Sequence, residues 1–175
     1  KPPKFLHDIH GSTTTLFDII LAYSGGIIAL ISIYVLCQQN NIDIPIWKLI
    51  LLLIISADIG AGVVANFTKG TNSHYSGESK SKSRLVFILS HFLHPAIFLY
   101  ALNLFSAKTI GLVVFVIFST LLINAIKEKE KQRVIASFCL VIGIGTLLIL
   151  EISNPLLFWF FPLYMVKLFI AFGIR

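Results

Sequence analysis

Charge is almost absent from six stretches of this chain, each long enough to cross a membrane, and that pattern constrains the fold more than any other feature. At a helical rise of ~1.5 Å per residue, about 20 apolar residues span a ~30 Å hydrocarbon core. The stretches run over 14–37, 44–68, 84–106, 109–126, 133–151 and 155–174. Lipid offers the backbone no hydrogen bonds, so each stretch must satisfy its own N–H and C=O groups as a helix. The sequence therefore predicts an all-α fold, a polytopic bundle of six transmembrane helices over 14–175, after a cytoplasmic tail over 1–13. With 57% hydrophobic and 13% charged residues in 175, no stretch is left for a soluble catalytic domain.

Basic residues set the expected orientation. Lys1 and Lys4, Lys69, Lys80, Lys82 and Arg84, Lys127, Lys129, Lys131 and Arg133, and Arg175 all fall on one side, against Lys48 and Lys108 on the other. The positive-inside rule then places both termini in the cytoplasm. No cleavable signal peptide is read ahead of the first apolar stretch, and a bacterial-type inner (plasma) membrane is expected. The formal charge of +6 is spread over separate juxtamembrane loops, which suits contact with anionic membrane lipids and excludes a nucleic-acid groove. Cys37 and Cys139 lie at different depths, so no disulfide is expected between them.

Against this apolar background, three ionisable residues stand out: Asp58 in the second stretch, and His91 and His94 in the third. A charged group in the membrane costs roughly 2.5–3.5 kcal/mol on insertion scales, so such residues face the protein interior and mark sites. Asp58, Gly62 and Asn66 are spaced i, i+4, i+8 and share a helix face. Ala57, Gly60, Ala61 and Ala65 beside them allow close helix approach, which predicts a central position for this helix. His91 and His94 are i, i+3 neighbours, and Pro95 removes the intrahelical partner of the His91 carbonyl, which favours a kink. Asp58 and the two histidines all fall about 10–15 Å inside the cytoplasmic surface at 1.5 Å per residue.

Two imidazoles and a carboxylate are the minimum set for a catalytic metal with an open position, so Asp58, His91 and His94 are candidate ligands of a divalent cation such as zinc. The same residues can instead act as an acid–base pair. The helical His-Glu-x-x-His and di-iron patterns are absent, as are phosphate-loop, dinucleotide and nucleophile-elbow motifs. Haem is disfavoured because only one span carries histidines.

Asn66, with Asn72, His74 and Tyr75 from the Ser- and Gly-rich stretch 69–83, completes the candidate substrate-binding set. That stretch reads as a mobile linker or a lid. Lys167 is expected to snorkel to the inner interface, and Asp18 is divided between a site role and a structural one. Trp47 and Phe158-Trp159-Phe160-Phe161 read as interfacial anchors. His7, Asp8 and His10 read as a solvated tail cluster.

The function expected is a membrane-embedded enzyme, metal-dependent or acid–base, acting on a lipid or other amphiphile through Asp58, His91 and His94. The alternatives are a small-solute or proton-coupled transport subunit and an assembly subunit of a membrane complex. The sequence does not specify a protein partner.

Overall fold

The computed structural model describes residues 13–77 and 80–174, and among these there are helices and no strand. The elements are α1 (Leu16–Gln39), α2 (Ile46–Phe67), α3 (Lys69–Ser76), α4 (Ser81–Ser90), α5 (Leu93–Leu102), α6 (Ala107–Ala125), α7 (Lys129–Ile149) and α8 (Pro155–Met165). A π-helix over Val166–Phe172 continues α8. Taking α4–α5 as one interrupted span and α8 with its π-helix as another, six helices are long and apolar enough to cross a membrane. The cluster His7, Asp8 and His10 lies outside the described residues.

Helix starts follow local chemistry. The Thr15 hydroxyl accepts from the Asp18 amide and the Asp18 carboxylate accepts from the Thr15 amide at 3.0 Å, a capping box that assigns Asp18 to the start of α1. Asn154 caps the amides of Leu156 and Leu157 ahead of Pro155, a residue suited to a first helical turn. Glu151 is exposed, in a turn with φ 53. Both cysteines are buried and free.

The second span packs on α1, α5 and the last span, as a central helix should. The last span is the most enclosed, which the sequence did not indicate: 61% of its most apolar window is buried, against 28% for α2 and 22% for α1. Its π-helical half packs on α2, α6 and α7. The aromatic run read as an anchor is divided by helical periodicity. Phe160 and Phe161 are fully buried, Phe160 stacking with Phe98 and Tyr164 and meeting Phe161 edge-on, while Phe158 is exposed.

Helices α1 and α2 form the closest pair, through small residues. A Cβ added at Gly60 would run into the Ala29 methyl and the Gly25 carbonyl, and one at Gly26 would press on the Ala57 carbonyl. Close backbone approach of this kind is the main source of helix affinity in lipid, where burial of apolar area contributes little.

Candidate functional site

Pro95 interrupts the third span, and the interruption positions the histidines. Helix α4 ends at Ser90 and α5 begins at Leu93, with His91 and Phe92 forming the turn between them. The His91 carbonyl accepts from the His94 amide at 3.2 Å and from the buried Tyr164 hydroxyl at 2.8 Å. The acceptor freed by proline is thus satisfied by a tyrosine from the last span. The two imidazoles stack with centroids 4.5 Å apart.

His94 Nε2 lies 2.6 Å from Asp58 Oδ2. Since a carboxylate accepts, Nε2 carries the proton in this contact. His91 Nδ1 lies 2.6 Å from the Phe87 carbonyl and donates to it for the same reason, leaving Nε2 as the acceptor of the neutral ring. His94 Nδ1 is buried and has no hydrogen-bond partner.

Lys167 completes the cluster. Its ammonium donates to Asp58 Oδ2 at 2.5 Å and to the Asp58 carbonyl at 3.2 Å. Only 3% of its side chain is exposed, so it does not snorkel as expected. A buried cation is stabilised by pairing with a carboxylate, whereas the interface lies out of reach of an inward-facing stem. Gly62 makes this arrangement possible: a Cβ there would overlap the outer carbons and the nitrogen of Lys167. The result is an array in which Asp58 Oδ2 is shared between a lysine and a histidine.

The array lies on the wall of a cavity of about 340 Å³. Its lining joins α1 (Tyr23), α2 (Asp58, Asn66), α3 (Tyr75), α4 (Phe87) and Lys167. Of the candidate binding residues, Asn66 is 5% exposed and its Nδ2 has no partner. Tyr75 lines the cavity at the α3 end. Its ring packs on Phe87 and Phe172, with centroids 5.4 Å away in both cases. His74 meets Tyr75 edge-on and does not line the cavity. Asn72 is also outside it, and its amide donates to the Ile174 carbonyl.

The stretch expected to be a linker begins with a helix, α3, whose first turn is capped by the Thr68 hydroxyl accepting from the Thr71 amide. Buried Arg84 fastens its end, donating to the Tyr75 carbonyl at 2.6 Å and to Asn124 Oδ1 at 3.1 Å.

Asp58, His91 and His94 each offer a ligand atom within 4.8 Å of the others, so this cluster can hold a metal ion. His91 has the orientation common among metal-binding histidines, with Nδ1–H tied to a backbone carbonyl. Lys167 opposes such an ion, because its ammonium already neutralises the only carboxylate of the set. Searches against protein-family models, curated proteins and solved structures return no match.

Proposed function

We propose that this chain is an intramembrane enzyme that uses the Lys167–Asp58–His94 array as an acid–base centre on a lipid or other amphiphile. The observation that carries this reading is the Asp58 carboxylate bridging Lys167 and His94 on the cavity wall. Asp58 holds the His94 ring by Nε2–H, which leaves Nδ1 to take or give a proton once a substrate reaches it. Lys167 donates to the same carboxylate oxygen, and His91 stacks behind His94. A hydrogen bond made only for packing is worth about 0.6 kcal/mol between membrane helices, too little to offset an ionised pair in hydrocarbon.

The six spans lie in a bacterial-type plasma membrane with both termini and the basic loops on the cytoplasmic side, where those loops meet anionic lipid headgroups. The cavity then belongs to the inner half of the bilayer.

Comparative lipid mass spectrometry tests the enzyme. Membranes from cells producing the wild type should gain or lose at least one amphiphile relative to cells producing Asp58→Asn or His94→Gln at equal protein levels. Identical lipid profiles in all three would refute this function and favour solute transport.

A metal-dependent version is favoured by the 4.8 Å cluster and the His91 orientation. It requires a divalent ion to displace the Lys167 ammonium. Elemental analysis decides it: stoichiometric zinc or iron in the wild type, lost in His94→Ala with the fold retained, supports the ion, and metal-free protein with an Asp58-dependent lipid change rejects it.

A further inference from the structure

Asp58 lies nine residues before the end of α2, about 14 Å along the helix, yet 51% of its side chain is exposed. The α3 end of the cavity is roofed by Tyr75, held against Phe87 and Phe172 and fastened by Arg84. Exposure at that depth therefore comes through the flank of the bundle. α1 and the α4–α5 span both border α2 but share no substantial contact with each other, and the rim residue Tyr23 is 53% exposed.

Size narrows the occupant. The cavity of about 340 Å³ has room for a polar end and the first carbons of a chain, the rest of which stays in the bilayer. Lys167, the one Lys or Arg on its lining among the described residues, is already paired with Asp58, which leaves no cation there to meet a phosphodiester. The Lys167 stem covers Gly62, and Ala61 beside it leaves the floor open beneath the occupant. Asn66 Nδ2, buried and without a hydrogen-bond partner, offers a donor to an oxygen on it.

We infer that the cavity admits a single-chain amphiphile sideways from the bilayer, between α1 and α4–α5. Its oxygen-bearing end lies along α2 between Asn66 and Asp58, and its chain leaves past Tyr23. This rests on reading the cluster as a site that acts on amphiphiles.

Photolabelling tests it without relying on turnover. Two probes are used with the full chain in phosphatidylcholine–phosphatidylglycerol nanodiscs: palmitic acid with a mid-chain diazirine, and phosphatidylcholine with the same diazirine in one chain. Palmitic acid should label peptides containing residues 22–23 and 87–94. Ala61→Trp, which fills the floor, should cut that labelling roughly tenfold, a loss of about 1.4 kcal/mol in affinity. A second block avoids any folding defect: Tyr23→Cys, alkylated by a bulky maleimide after purification, should cut labelling similarly. Equal labelling of wild type and both blocked forms overturns the inference, as does phosphatidylcholine labelling these peptides as strongly as palmitic acid. Site-specific labelling together with an unchanged cellular lipid profile would sink the enzyme and leave the binding mode standing. A changed profile with labelling spread evenly over the outward faces of α6 and α7 would do the reverse.

Discussion

Lys167 and Asp58 depend on each other unequally, because one is enclosed and the other is half open, with side-chain exposures of 3% and 51%. Asp58→Asn leaves an ammonium buried with no counter-charge, a change that costs about 3–5 kcal/mol when a buried pair is broken. Lys167→Met leaves a carboxylate that still accepts from His94 and faces the open cavity. The melting temperature in detergent should therefore fall further for Asp58→Asn than for Lys167→Met, and the double variant should recover most of the difference. Equal losses would show that the pair is not the enclosed contact described. Gly62→Ala places a methyl where the lysine stem lies, so it should lower the melting temperature as Lys167→Met does and abolish any lipid change that depends on Asp58. Depth along the spans was enough to bring Asp58 and His94 into consideration together. It was not enough for Lys167, whose position seven residues from the end of its span admits both an outward stem and an inward one. Only the packing of the last span in the middle of the bundle decides between them.

At the scale of elements, the α1–α2 contact and the interruption of the third span make separate predictions. Gly60→Ala should destabilise by about 1–3 kcal/mol, the usual range for overpacking, because backbone and a methyl of α1 stand in the way. Gly145→Ala on α7 meets nothing within 4 Å and should leave the melting temperature unchanged or raised. If the two behave alike, α1 and α2 are not in close contact. Tyr164→Phe removes the hydroxyl from the His91 carbonyl and should cost about 1 kcal/mol, the net worth of a hydrogen bond. Its sharper readout is a shift of the His91 ring resonances by NMR with the helical content unchanged. The interruption was legible from Pro95, which stands four residues after His91. The partner of the freed carbonyl was not, since Tyr164 is 73 residues away in the chain. Helix α3 escaped notice because Lys-Gly-Thr-Asn-Ser-His-Tyr-Ser has poor helix propensity. The signal available was Thr68, a good cap, three residues before Thr71.

For the whole molecule, the proposed topology predicts that Ser81→Cys and Lys131→Cys react with a membrane-impermeant maleimide only from the cytoplasmic side. Lys108→Cys should react only from the opposite side. Cys37 and Cys139 are buried and stay silent in this assay. Reaction from the reverse sides would invert the proposed orientation and move the site to the other leaflet. The number of helices long and apolar enough to cross a bilayer could be read from hydropathy alone, because bilayer thickness sets the length required. Their arrangement could not, because lipid-facing and core-facing apolar side chains look alike: Phe158 and Phe160 differ only in which way the helix turns them. That arrangement also limits how the molecule can move. α1 and α2 meet backbone to methyl with no slack between them, so they behave as one stiff post. The opposite jamb of the doorway is the span already jointed at His91 and Phe92, and any widening to let a guest through swings the inner half, Ser81–Ser90. Because His91 sits on that joint, opening the door and re-aiming an imidazole are a single motion.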